Sequence, residues 1–161
     1  MSSNFNPQFA KIGEILVQKG KATESGINEA LAQQKTTNDK IGVTLIEMGF
    51  IEEEDFTSAF AEQLGYRKAD NFILLEADSE VASLISEDFA RENRVLAVQK
   101  SETTITVAME DPEDVVAVDS IKRLTNLTPD ILVAGPELLE KALDKVYGEI
   151  QKTTEVAETI E

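Results

Sequence analysis

The first 65 residues say nearly the same thing twice. Lys11-Ile12-Gly13 returns as Lys40-Ile41-Gly42, 29 residues later (position 11 to position 40). At that one offset Leu16-Val17 matches Leu45-Ile46, Gly20 matches Gly49 and Ala30 matches Ala59. Ile27 and Leu31 match Phe56 and Phe60, and Gln34 matches Gln63. So many ungapped matches point to a duplicated unit, and a duplicated unit constrains the fold. Each copy is too short to bury its own apolar stripe, so the two must pack on each other.

Each copy reads as helix, turn, helix. Ile12, Ile15, Leu16 and Lys19 recur at helical spacing, and Gly20 stands where a left-handed residue ends a helix. Thr23 is an N-cap type, and Ile27, Ala30, Leu31 and Gln34 carry the next helix. In the second copy Ile41, Leu45, Ile46 and Met48 precede Gly49. Phe56, Ala59, Phe60 and Gln63 then lead to Gly65. The expected product is a pseudo-symmetric four-helix unit. Gly13 and Gly42 fall inside the first turns of helices, where glycine costs roughly 1 kcal/mol against alanine. A cost accepted in both copies implies close approach to the backbone, by a neighbouring helix or by a ligand. On the residues alone, packing is the favoured of the two.

Beyond the repeat the pattern changes. Residues 66 to 71 form a polar connector, and Phe72-Ile73-Leu74-Leu75 reads as a short strand. Ser79 to Ile85 reads as a helix, and Ser86 caps another over Glu87 to Asn93. Val95 to Gln99 and Thr103 to Met109 suit a hairpin around Lys100-Ser101-Glu102. Asp111-Pro112 opens a helix with Val115, Val118, Ile121 and Leu124 on one face. Ile131-Leu132-Val133 is a strand, and Gly135-Pro136 leads into a helix through Leu138, Leu139, Ala142, Leu143 and Val146. The fold class is therefore α+β: an N-terminal four-helix unit from a tandem helical repeat, then a small α/β sandwich. The expected domains are a helical subdomain over 1–66, an α/β subdomain over 67–148 and a flexible acidic tail over 149–161.

Composition removes whole classes of function. With 15 Lys plus Arg against 31 Asp plus Glu, the formal charge is −16, so phosphate backbones and anionic lipid surfaces repel the chain. DNA and RNA are not expected partners. There is no Cys and no His, which excludes disulfides, thiolate metal sites, Cys nucleophiles and His-based triads. No apolar run reaches the roughly 18 to 20 residues of a membrane span, and no secretory signal is visible, so the expected location is cytoplasmic. The Glu110-Asp111-Pro112-Glu113-Asp114 cluster has oxygen ligands for a divalent cation, but it reads more simply as a solvated loop and helix start. Glu52-Glu53-Glu54-Asp55 is an acidic first turn of a helix. An acid-dependent hydrolase has no dedicated motif to support it. Gly20-Lys21 is followed by Ala22 and lacks the earlier glycine of a phosphate-binding loop. No catalytic residue and no metal ligand is assigned.

The tandem motif resembles the N-terminal regulatory domain, of the MshEN type, in the ATPases that power type II secretion and type IV pilus extension. The family pattern is Arg-Leu-Gly, two residues, two aliphatics, two residues, Gly, and a helix ending in Gln, written twice with a spacer of five. Lys11-Ile12-Gly13 through Gln34 and Lys40-Ile41-Gly42 through Gln63 fit that frame around Lys35-Thr36-Thr37-Asn38-Asp39. Arg94-Val95-Leu96-Ala97-Val98, Val107-Ala108-Met109-Glu110-Asp111-Pro112 and Lys145-Val146-Tyr147-Gly148 look like the α/β part that follows in the family. The chain departs from the pattern where Lys replaces Arg at Lys11 and Lys40, and where Lys21-Ala22 replaces an aliphatic pair that the second copy keeps as Phe50-Ile51.

The resemblance implies cyclic di-GMP as ligand, held across both copies by Lys11, Ile12, Gly13, Leu16, Gly20, Gln34, Lys40, Ile41, Gly42, Leu45, Gly49 and Gln63. In that reading Lys11 and Lys40 meet phosphates or guanines, Gly13 and Gly42 allow close approach, and the aliphatics pack on base and sugar. No cofactor beyond this ligand is expected. The resemblance also implies a protein partner in a secretion, pilus or motility machine, with recruitment to the inner membrane but no insertion into it. The alternative is an interaction adaptor for such a machine that no longer binds the nucleotide. If the chain is a fragment, the motor lies outside it; if whole, it is a motorless relative.

Overall fold

The computed structural model describes the backbone of residues 7–38 and 41–159, and side chains over 12–38 and 41–152. The chain divides into two compact units with the boundary between Gly65 and Tyr66.

The first unit holds helices α1 (Pro7–Gln18), α2 (Glu24–Thr37), α3 (Ile41–Glu47) and α4 (Glu53–Leu64). α1 and α3 stop in the same way. Gly20 has φ +71° and Gly49 φ +78°, a conformation that costs glycine nothing. The N–H of Gly20 donates to Val17 O at 3.0 Å and that of Lys21 to Leu16 O at 2.9 Å. The N–H of Gly49 donates to Ile46 O at 3.0 Å and that of Phe50 to Leu45 O at 3.1 Å. Both are Schellman closures. The following helices are capped by side chains, α2 by Thr23 and α4 by a capping box of Glu52 and Asp55. Before α2, the Thr23 hydroxyl accepts from Gly26 N–H at 3.0 Å; before α4, the Asp55 carboxylate accepts from Glu52 N–H at 3.0 Å.

Ile12, Leu16, Ala30, Ile41, Leu45, Ile51 and Ala59 form the core of this unit. α1 packs chiefly on α4, and α2 on α3. Within each half, a glycine lies under an apolar side chain of the next helix. A Cβ on Gly13 would meet Ile27 Cγ2 at 3.4 Å, and one on Gly42 would meet the Phe56 ring at 2.8 Å. The Phe56 ring is itself stacked on Phe60 with centroids 6.0 Å apart.

The second unit contains β1 (Arg67–Lys68), α5 (Asn71–Leu75), α6 (Ser79–Ala82), α7 (Glu87–Asn93), β2 (Val95–Lys100), β3 (Thr104–Met109), α8 (Val115–Thr125), β4 (Thr128–Val133) and α9 (Pro136–Thr159). The strands form one sheet in the order β1-β4-β3-β2. β2 and β3 are an antiparallel hairpin with a register shift between Ala97 and Gln99. α8 is the crossover that makes β3 and β4 parallel. Val95 to Val98 are buried in succession, because helices cover β2 from both sides of the pleat. α9 brings Leu139, Ala142, Leu143 and Val146 into the core at helical spacing. The buried Tyr147 hydroxyl is shared between Ile85 O at 2.9 Å and Ala82 O at 3.2 Å. The architecture is α+β, with N-terminal helices followed by a mixed sheet and helices.

Five local expectations are corrected. Phe72–Leu75 belongs to helix α5, not a strand, because Asp70 caps it by accepting from Ile73 N–H at 2.7 Å. The connector before it contains β1, a two-residue edge strand whose partner is β4. α8 begins at Val115 under an Asp114 cap rather than at Pro112. Its buried face is Ala117 and Ile121, with Val115 and Leu124 73% and 60% exposed. α1 begins at Pro7, which puts Gly13 in its middle rather than in a first turn. α9 itself runs through Gly148 as far as Thr159.

Two tests follow from this packing. Gly42→Ala should destabilise the chain by about 1–3 kcal/mol, because the Phe56 ring must give way. Gly13→Ala, whose Cβ finds ordinary contact with Ile27, should be neutral or gain up to about 1 kcal/mol from helix propensity. Denaturant unfolding checks both, and Phe56→Leu should rescue Gly42→Ala. Burial and the charge of Glu87 push the Tyr147 phenol up to about 12, against the smaller opposing effect of Arg91. A raised folded value means stability fully present below the ordinary phenol value near 10, and lost as pH rises through about 12. Unfolding measured from pH 9 to 12 should show this loss, and Tyr147→Phe should remove Tyr147's share of it.

Candidate functional site

The residues assigned from sequence fall into distinct environments. Ile12, Leu16, Ile41 and Leu45 are core residues, each 3% exposed or less, so their side chains are committed to packing between helices. Gly13 and Gly42 are buried under Ile27 and Phe56. Gly20 and Gly49 are exposed helix stops with open space around them. Gln34 is half-buried near the end of α2, where its carbonyl accepts from Asn38 N–H at 2.8 Å. Gln63 is half-buried in α4, with its Oε1 shielded from solvent. Lys40 and the side chain of Lys11 lie outside the described residues.

A concave face in this unit lies between α1 and α2. It is an open groove of about 370 Å³ lined by Gly13, Glu14, Val17, Gln18, Glu24 and Asn28, with Ile27 at its floor. The matching place in the second half holds the larger Phe56 ring over Gly42, so the two halves differ where they are otherwise most alike. The carboxylates of Glu14 and Glu24 accept hydrogen bonds and repel phosphate, so this wall suits the N–H edge of a ring rather than an anion. The helical spacing of Glu14, Val17 and Gln18 against Gly13 places them on one wall. Only the partner helix shows that a groove opens there.

Two cations of the unit are engaged internally. Lys19 pairs with Glu62 at 2.7 Å, and Lys21 with Asp55 at 3.6 Å. Exposed pairs of this kind contribute about 0–1 kcal/mol and open readily for a better partner.

The acidic cluster of the second unit is taken up structurally. Glu110 binds the Arg94 guanidinium, which also holds Glu140 and donates to Pro136 O at 3.0 Å. Asp111 accepts from Glu113 N–H at 3.0 Å, and Asp114 accepts from Ala117 N–H at 3.1 Å. Arg91 adds Glu87 at 2.8 Å, Glu140 at 3.1 Å and Asp144 at 2.9 Å. Burial pulls the Arg94 guanidinium down, but hydrogen bonds to Glu140 and Glu110 outweigh it and the value is raised. Arg91 is raised chiefly by its hydrogen bond to Glu87. Among the described residues no group of three acidic, His or Cys side chains is placed to hold a metal ion. Among them, too, no helix is long and apolar enough to cross a membrane.

The chain thus joins a capped helical unit to a small mixed sheet in which Glu110, Asp111 and Asp114 are taken up by an ion pair and by backbone N–H groups. The MshEN domain model matches residues 72–152, half of the chain, and the chain belongs to that family. The match falls on the sheet-bearing unit, whereas the sequence motif lies before it. The type IV pilus assembly ATPase PilB of Myxococcus xanthus is 27% identical over 139 residues, covering 86% of this chain and 24% of that protein. PilB of Thermus thermophilus is also 27% identical, over 91% of this chain and 16% of its own length. The chain thus spans a quarter or less of these relatives, and it matches their N-terminal, non-catalytic part. A solved structure of MshE with cdg superposes with a TM-score of 0.68 at 30% identity, covering 84% of this chain and 98% of that one. The N-terminal domain of XpsE shares the fold, with a TM-score of 0.60 at 19% identity over 88% of this chain and 97% of that one.

Proposed function

We propose that this chain is a regulatory module that binds cyclic di-GMP through its first unit and acts on a secretion or pilus ATPase assembly in the cytoplasm. The observation that carries this reading is the likeness to MshE with cdg, taken as cyclic di-GMP, over nearly all of that structure at 30% identity. A tandem helical repeat is the framework, supported by the matched Schellman closures at Gly20 and Gly49 and the α1–α4 and α2–α3 pairings, which exchange when one half is laid on the other. The domain division proposed is a helical unit to residue 66 and a sheet-bearing unit to 148, followed by an acidic extension.

Ile12, Leu16, Ile41 and Leu45 shape the site rather than stack on the ligand, a role supported by their burial in the core. Lys11 and Lys40 supply the charge for phosphates, and Gln34 and Gln63 supply amides at matched helix ends. Lysine offers a point charge where the family's arginine offers a planar fork, so phosphate attraction is kept at some expense of guanine readout. The partner of the complex is a protein of the membrane-bound machine, to which the module is recruited without inserting.

Calorimetric titration of the full chain with cyclic di-GMP should give saturable heat that weakens with salt. Lys11→Ala with Lys40→Ala should abolish it while thermal unfolding is unchanged. No heat at roughly tens of micromolar ligand would contradict nucleotide sensing.

A second reading, an adaptor that has lost the nucleotide, is favoured by one observation. Lys21 stands where the second half has Phe50, and it pairs with Asp55 instead of offering apolar surface to a base. Binding to a machine component that survives the double lysine substitution, with no nucleotide heat, is its signature.

A further inference from the structure

The sheet of the second unit ends in a half-covered edge. β4 runs from Thr128 to Val133, yet β1 pairs only with Leu132 and Val133. Among the described residues, no strand lies beside the outer side of β4 from Thr128 to Ile131. In a parallel ladder the N–H and C=O of one residue point the same way. Thr128 and Ala134 donate inward, to Thr103 O and Met109 O at 2.9 Å each, whereas Val133 O faces outward to Ala69 N–H at 2.8 Å. Pro129 and Ile131 therefore also face outward; the pairing of Arg67 with Leu132 takes up the Ile131 carbonyl, which leaves the Pro129 carbonyl and the Ile131 N–H open beyond the end of β1. A proline with its missing donor on the open side is what an edge strand tolerates.

An open groove of about 580 Å³ adjoins this edge, lined among others by Tyr66, Pro112, Val115, Val118, Lys122 and Ile131. Val115 and its neighbour Val116 are 73% and 72% exposed at the start of α8. Two adjacent β-branched side chains left in water beside an open strand are apolar surface without a partner. The rim is charged in a particular way. Asp119 pairs with Arg123 at 2.6 Å, so these two charges cancel. Lys122 makes no ion pair among the described residues. The groove thus keeps one uncompensated cation in a chain of net charge −16.

We propose that this edge and groove take an extended segment of a partner protein, added as a strand beside β4. Its apolar side chains lie against Val115, Val118 and Ile131, and a carboxylate meets Lys122. Open backbone at the edge selects an extended peptide, the valines select apolar residues on its inner face, and Lys122 selects acid. A nucleic acid would meet Asp119 as well as the overall negative charge. A second copy of this chain would set one Lys122 rim against another.

The test uses the full chain, isotope-labelled for amide spectra. The probe is a capped peptide of alternating valine and glutamate, roughly seven residues long to match a typical strand. Saturable shifts confined to Thr128–Ile131 and Val115–Lys122 are expected, with none from the same peptide carrying lysine for glutamate. Lys122→Glu and Val115→Ser, both at exposed positions, should each weaken binding about tenfold with the remaining spectrum unchanged. Absence of saturable shifts at roughly millimolar peptide would overturn the proposal. So would equal binding of the lysine peptide, indifference to Lys122→Glu, or concentration-dependent shifts of these residues without peptide, which would assign the edge to a second copy.

Discussion

Each half of the helical unit closes because a glycine in one helix lets an apolar side chain of the next lie directly against the backbone. Ile27 does this over Gly13 and Phe56 over Gly42. The glycines cost helix propensity, and the contact they admit brings Leu16 and Leu45 into one core with Ala30 and Ala59. The Schellman closures at Gly20 and Gly49 depend on the same geometry, since they turn the chain back where that contact requires it. The size difference between Ile27 and Phe56 leaves a groove in the first half and fills the matching space in the second. Any ligand spanning both halves meets an asymmetric surface.

In the sheet-bearing unit, polar groups do a comparable job. Arg94, held in a left-handed conformation at φ 54°, reaches Glu110 at the end of β3 and Glu140 on α9, and Arg91 shares Glu140. Tyr147 fastens α9 to the carbonyls that end α6 and the turn after it. The acids that look like ligands in the sequence are therefore fasteners in the fold.

Much of the architecture was legible because local signals agreed with tertiary packing. The Ser86 cap, the hairpin and the apolar spacing of α9 fall where the residues place them. Failures came where a short pattern has two solutions. Phe72–Leu75 is four apolar residues long, which periodicity alone cannot divide between helix and strand. The Asp70 cap was the signal that decides it. Val115 and Leu124 share helical spacing with Ile121, but the face that turns inward is set by the sheet, which favours Ala117. β1 has only two residues and exists because β4 offers an edge. Of the candidate site, the paired glycines and glutamines were legible as positions, whereas the burial of the aliphatics was not. The choice between packing and ligand at Gly13 and Gly42 needed the distances to Ile27 and Phe56.

The claim that both helical halves form one ligand-responsive surface is tested most directly by amide spectra of the full chain during titration with cyclic di-GMP. Shifts should appear together, at one midpoint, around Gly13 and Gly20 in the first half and around Gly42 and Gly49 in the second. Shifts confined to one half, or located only in the sheet-bearing unit, would contradict it.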